Sequence, residues 1–109
     1  MASAETLRAL ALALPGAAES AHMGHPDFRV QGRIFASLDR PGRLGHVKLT
    51  PDQQEMMRAA LPGALAPASG AWGARGWTRI ALVAIGEEDL AVLLRMAHAN
   101  VESPRRGRA

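Results

Sequence analysis

The chain contains no cysteine and no tyrosine, and aromatic residues of any kind are scarce. Without cysteine it can form no disulfide, no thiolate metal site and no cysteine nucleophile. Any metal site would therefore depend on histidine or carboxylate ligands. The absence of cysteine is compatible with a reducing cytoplasm.

Long apolar runs are also missing, because no segment approaches the roughly 20 apolar residues that a membrane-spanning helix needs. The apolar N-terminal stretch Leu10–Leu14 is preceded by Glu5 and by Arg8. An export signal instead has a basic leader and an unbroken apolar segment. We therefore expect a cytoplasmic protein with no membrane partner.

A length of 109 residues predicts one folded domain, residues 1–102, followed by a basic disordered tail, residues 103–109. The tail arginines supply the whole formal charge of +3, so the domain is neutral overall. Within the domain, residues 28–86 carry eight basic and three acidic side chains, and both flanking segments are acidic. This distribution predicts a one-sided positive field if the fold gathers those cations on one face.

Three segments have the features of helices. The first, residues 3–14, has Ser3 as a plausible N-cap and ends at a Pro-Gly pair. The second begins at Thr50, where a capping threonine, a proline at the first helical position and Gln53 form a capping signature. The third, residues 87–101, opens with three acidic residues and carries a leucine-rich stripe.

Strands are predicted where apolar and polar residues alternate. The predicted strands are Phe28–Val30, Ile34–Leu38, His46–Leu49, a short strand near Leu65, and Thr78–Ile85. Residues 15–27 are predicted to be a loop or a short edge strand. The order α-β-β-β-α-β-β-α, with its tight turns, favours a two-layer α+β fold: a mostly antiparallel sheet with helices on one face.

Strand alternation also predicts what the open face of that sheet carries. If the apolar residues face the helices, the other side holds Arg29, Gln31, Arg33, Phe35, Ser37, His46, Lys48 and Arg79. Residues 70–78 add both tryptophans, three glycines and Arg75 just before the last strand. Cations neutralise phosphates and aromatic rings stack on bases. The predicted nucleic-acid site is Arg29, Arg33, Lys48, Arg75, Arg79, Phe35, Trp72 and Trp77.

Several motifs occur in an order that resembles a known family. They are Gly24-His-Pro-Asp-Phe-Arg-Val30, Gly32-Arg-Ile-Phe-Ala-Ser-Leu38, Val47-Lys-Leu49 and Trp72-Gly-Ala-Arg-Gly-Trp77-Thr78. The chain resembles the MmcQ/YjbR family of small bacterial proteins from the first helix to about Val101. The resemblance implies a compact α+β fold of the secretion-chaperone or frataxin-like kind and a DNA-binding role.

Together these features predict a non-catalytic protein without a cofactor that binds double-stranded DNA weakly and in a salt-sensitive manner. Ser37, Ser69 and Thr78 have no identifiable base partner. One alternative is a protein-interaction module or homodimer that uses the open face or the helix containing Met56 and Met57. Another is a small-ligand or metal site at His22, His25 and Asp27, although their spacing alone defines no closed geometry.

Overall fold

The computed structural model describes residues 1–39 and 41–102. Arg40 and the predicted basic tail, residues 103–109, lie outside the described residues. The helices are α1 (Ala4–Leu12), α2 (Pro51–Ala60), α3 (Gly70–Ala74) and α4 (Glu87–Val101). The strands are β1 (Ala17–His22), β2 (His25–Val30), β3 (Arg33–Leu38), β4 (Leu44–Lys48), β5 (Leu65–Pro67) and β6 (Trp77–Ala81).

All strand pairs are antiparallel, and the six strands of the described chain form one sheet in the order β1-β2-β3-β4-β6-β5. The predicted fold class is confirmed. Segment 15–27, predicted as a loop or an edge strand, contains the edge strand β1 and the first residues of β2. Met23 and Gly24 connect these strands with φ angles of 54° and 80°. Two consecutive positive φ angles are typical of the tight type I′ hairpin turn.

The connection after α2 is more ordered than a loop. It contains β5 and the short helix α3. The last strand is shorter than predicted, because β6 ends at Ala81 and residues 82–84 form a 3₁₀ turn. This turn leads into Ile85 and the start of α4.

The predicted N-terminus of α2 is confirmed at Thr50. Its hydroxyl accepts a hydrogen bond from the Gln53 amide at 3.1 Å, and the Gln53 side chain accepts one from the Thr50 amide at 3.0 Å. Ser3 and Thr6 form the same reciprocal arrangement at α1. Each capping box satisfies amides that the first helical turn would otherwise leave unpaired, so both starts are determined locally.

The hydrophobic core lies between one face of the sheet and helices α1 and α4. Phe28, Val47 and Ile80 from the strands and Leu7 and Leu93 from the helices are fully buried within it. Helix α1 approaches β4 so closely that a Cβ on Gly45 would lie 2.6 Å from Leu7 Cδ1. Glycine at this position therefore allows the two elements to pack.

A β-bulge between β2 and β3 changes which residues lie on the open face, so part of that prediction is wrong. Phe28 pairs with Ala36 and Arg29 pairs with Ile34, so Phe35 is the extra residue between them. Phe35 is fully buried on the helix side, where its ring meets His98 edge-on at a centroid distance of 5.4 Å. The prediction that Phe35 offers a stacking surface on the open face is wrong.

The same bulge displaces Arg33. Arg33 pairs with the core residue Val30, and directly opposite residues share a face of the sheet. The Arg33 side chain therefore leaves the sheet on the helix side, at the exposed end of the β2–β3 hairpin. Its predicted place among the open-face cations is wrong, whereas Ile34, predicted to face the core, lines the open side.

Candidate nucleic-acid interface

A row of polar side chains crosses the open face of the sheet. Asp27 lies opposite Ser37, Ser37 opposite His46, and His46 opposite Arg79, so four neighbouring strands contribute one residue each. Lys48 lies opposite Trp77 in the adjacent row. The alternation of strands β3, β4 and β6 predicted these positions correctly for Ser37, His46, Lys48 and Arg79.

Arg29 reaches the open face as predicted, but its charge is matched. Its Nε donates to Asp27 Oδ1 at 2.8 Å and its Nη2 donates to Oδ2 at 3.1 Å. The Asp27 side chain is only 2% exposed. The hydrogen bond from Arg29 to this carboxylate raises the pKa of Arg29 above its usual value. Because Asp27 and Arg29 are two residues apart on one strand, both side chains point to the same face.

Three other cations on this side have no carboxylate within 4.0 Å in the part of the chain that the structure describes. They are Lys48, Arg75 and Arg79. Lys48 Nζ donates a hydrogen bond to the Arg75 carbonyl oxygen at 2.8 Å, which brings strand β4 and the end of α3 together. The Arg75 guanidinium lies 5.7 Å from the Trp72 ring centroid, in a cation–π arrangement.

His46 is half-buried in the middle of the polar row. Burial lowers the pKa of His46, and the neighbouring positive charge of Arg79 lowers it further. Both effects disfavour the imidazolium ion. At neutral pH His46 therefore presents an uncharged ring with one donor and one acceptor nitrogen.

The tryptophan-bearing segment is held in place by the backbone and by a side chain that the sequence did not single out. A Cβ on Gly73 would lie 2.0 Å from the Ala68 carbonyl oxygen, and one on Gly76 would lie 1.9 Å from the Leu49 carbonyl oxygen. Gln54 of α2 donates from Nε2 toward the carbonyl oxygens of Gly73 and Trp77 at 3.2 Å and 3.0 Å. The segment is therefore packed against β5, β6 and α2.

The sequence does not predict the role of Gln54, because a polar residue in an amphipathic helix is expected to face solvent. It is buried here, and its Nε2 also lies 3.1 Å from Thr78 Oγ1. The Thr78 hydroxyl donates in turn to the Gly76 carbonyl oxygen at 2.9 Å. This hydrogen-bond network forms where α2 contacts the segment before β6. No local sequence pattern therefore predicts it.

The open face contains a cavity of about 670 Å³ between the β1–β2 hairpin and α3. Ser37 and His46 lie in its lining, Trp72 and Trp77 form one side, and the Asp27–Arg29 pair lies toward the other. Trp72 is 60% exposed and Trp77 is half-buried. The structure thus brings both predicted tryptophans to the polar row.

The predicted alternative metal ligands lie at the hairpin end of the same cavity. His22 and His25 are cross-strand partners, and Asp27 follows on β2. Among the described residues, no group of three or more histidine, aspartate or glutamate side chains is placed to hold a metal ion. The Asp27 carboxylate is instead engaged by Arg29.

No helix within the described ranges is both long enough and apolar enough to span a membrane.

Comparison with known proteins supports the fold and the family. The structure is similar to the crystal structure of Deinococcus radiodurans protein DR2400, described as a DUF419 domain, with a TM-score of 0.79 and 24% sequence identity. The similarity covers 98% of this chain and 82% of that chain. No curated protein sequence matches. The YjbR family model matches residues 12–100, and the chain therefore belongs to the YjbR family.

Proposed function

We propose that this protein binds DNA without catalysing a reaction, and that the open face of its sheet is the contact surface. The observation that carries the proposal is the group Lys48, Arg75 and Arg79, which lacks carboxylate partners among the described residues. The tryptophans lie beside these cations and add ring surfaces. Phosphate neutralisation supplies most non-specific affinity for DNA, so such a surface favours a polyanion. A DNA-binding role also fits the expected cytoplasmic location.

The number of free cations limits the affinity. Arg29 is held by Asp27, and Asp39, which lies in the cavity lining, accepts hydrogen bonds from the Arg43 and Leu44 amides at 2.9 Å and 3.1 Å. The Asp27 and Asp39 carboxylates thus offset part of the positive charge on the open face. With three such cations among the described residues, the logarithm of the binding constant should fall with the logarithm of salt concentration with a slope of roughly −3. We therefore expect weak binding that salt abolishes.

Fluorescence anisotropy with a labelled mixed-sequence duplex tests this proposal. The wild-type protein should bind at low salt, and the Lys48→Gln, Arg75→Gln, Arg79→Gln triple variant should lose most of that binding and of the salt dependence. A double variant, Arg58→Gln with Arg95→Gln, removes exposed charges from α2 and α4 and serves as the control. Absence of binding at low salt, or equal weakening in the control, would reject the open face as the DNA surface.

The exposed strand β1 favours a second candidate function, formation of a homodimer. Within the described residues β1 pairs with β2 alone, and residues 18–22 are exposed, so one backbone edge is available to another chain. Its one carboxylate, Glu19, accepts hydrogen bonds from Arg8 at 3.0 Å and 3.2 Å, which reduces charge repulsion at the edge. Pairing through β1 would use neither the buried Phe35 nor the open face of the sheet.

Light scattering tests this candidate directly. A dimer in the wild type that becomes a monomer in Ala21→Lys would support pairing through β1, because an edge lysine opposes strand addition. Met56→Lys, an exposed change on α2, is the control and should leave the dimer intact. A wild-type monomer at all concentrations would exclude the candidate.

A further inference from the structure

The cavity on the open face has the size and lining of a small-ligand site. Its volume of about 670 Å³ falls in the roughly 300–1,000 Å³ range of pockets that enclose small organic molecules. Flat apolar walls combined with a few polar groups are the usual composition of such pockets. Ile34, Trp72 and Trp77 contribute apolar surface. The polar lining includes Ser37 and His46, together with the Asp27–Arg29 ion pair and Asp39.

The backbone on the aromatic side of this cavity is closely packed, and Trp72 has exposed surface. Arg75 lies over the Trp72 ring at 5.7 Å, and Trp72 as a residue nevertheless remains 60% exposed. The backbone that carries it is fixed by the contact of Gly73 with Ala68 and by the hydrogen bonds from Gln54. An exposed indole on a fixed backbone is a stacking platform that loses little freedom when a planar ligand binds.

The polar groups of the cavity are available to a ligand. Within the described residues, neither the Ser37 hydroxyl nor the His46 ring has a hydrogen-bond partner in the protein, and no buried side-chain polar atom lacks a partner. Their unpaired atoms therefore face solvent in the cavity. A hydroxyl and a neutral imidazole together offer donors and acceptors, which is what recognition of a nucleobase edge requires.

We infer that the cavity binds one unpaired nucleobase of a DNA strand, stacked on Trp72 and hydrogen-bonded toward Ser37 and His46. This inference rests on the proposed DNA-binding function and specifies the part of DNA that the site takes. Bases inside a duplex are stacked on each other, so their ring faces cannot meet an indole. An unpaired base exposes a face and an edge together. The neighbouring phosphates then lie near Lys48 and Arg79, which are cross-strand partners of Trp77 and His46.

Three labelled duplexes test the inference by fluorescence anisotropy. One is blunt, one carries a short single-stranded overhang, and one carries an overhang of the same length made of abasic nucleotides. The two overhang duplexes have the same number of phosphates and differ only in their bases. We expect the base-containing overhang to bind about 5- to 150-fold more tightly than the abasic one, the range for one base–aromatic stack.

Variants assign this difference to the cavity. Trp72→Ala should remove the preference for the base-containing overhang over the abasic one, and Trp72→Phe should restore part of the preference. Val83→Ala, a change at an exposed apolar residue in the 3₁₀ turn, is the control and should behave as wild type. Circular dichroism would verify that each variant is folded.

The outcomes separate the two proposals. Equal affinity for base-containing and abasic overhangs, with the blunt duplex still bound, would overturn the nucleobase site and leave DNA binding intact. A preference that survives in Trp72→Ala would also overturn it. Failure of all three duplexes to bind at low salt would reject the proposed function itself.

Discussion

The two faces of the single sheet use the same strands for opposite purposes. The helix side buries Phe28, Phe35 and Ile80 completely, and its buried polar groups, such as His98, have protein partners. The open side carries imidazole, hydroxyl, indole and cationic groups, several of them without protein partners among the described residues. The helix side is therefore expected to determine stability, and the open side to determine binding.

His98 and His46 illustrate this difference for one residue type. His98 on the helix side has its Nε2 2.7 Å from the Pro15 carbonyl oxygen and packs against Phe35. That nitrogen must carry the proton, because a carbonyl oxygen can only accept a hydrogen bond. His46 on the open side has no such partner in the described chain, and burial lowers its pKa. Identical side chains thus serve packing on one face and remain available to ligands on the other.

The largest expected difference between the faces comes from two adjacent residues. Phe35→Ala should lower the free energy of unfolding by about 3–5 kcal/mol, because it removes a fully buried aromatic ring from the core. Ile34→Ala, on the open side of the same strand, should cost much less, because Ile34 is only half-buried. Urea denaturation of both variants measures the contrast. Equal losses would mean that the bulge does not divide the two residues between the faces.

The next effect concerns the support beneath the tryptophans. Gln54→Ala should lower the free energy of unfolding by about 1–3 kcal/mol, because it removes the hydrogen bonds from a buried amide to the Gly73 and Trp77 carbonyl oxygens, which keep only their backbone donors. Glu55→Ala, at an exposed neighbouring position, is the control and should be nearly neutral. Thermal denaturation compares the two. Identical melting temperatures would show that the network does not stabilise this segment.

A gain of binding is expected when the ion pair on the open face is broken. Asp27→Asn keeps the shape of the side chain but removes the charge that holds Arg29. The freed cation should make the salt dependence of duplex binding steeper by about 0.9. Glu19→Gln, which releases Arg8 on α1, is the matched control. An unchanged slope for Asp27→Asn would show that Arg29 does not reach phosphate.

The smallest expected effect is a change in pH dependence. Because the folded-state pKa of His46 is lowered, the unfolded chain takes up the proton first as pH falls below about 6.5. Stability contributed by the neutral ring is therefore present above that pH and lost below it. His46→Gln should show a smaller drop in melting temperature on acidification than wild type. His22→Gln, at an exposed position, should retain the wild-type drop.

Much of the fold could be predicted because its signals are local. The capping box at Thr50, the acidic start of α4 and the alternation of β4 each depend on neighbouring residues alone. Alternation in β4 and β6 placed His46, Lys48 and Arg79 on one side. Asp27 was missed as a partner of Arg29 because β2 was predicted to begin at Phe28, although two residues of one strand separated by one position share a face.

The starts of α1, α2 and α4 and the class of the fold follow from the amino-acid sequence, since each rests on interactions between residues a few positions apart. Three features depend on long-range packing: Phe35 lies in the core, Gln54 supports the tryptophans, and Asp27 neutralises Arg29. A bulge depends on the pairing of two strands, and a buried amide depends on which segment packs over it. Such relations arise only when distant segments meet, so the candidate site is a product of packing.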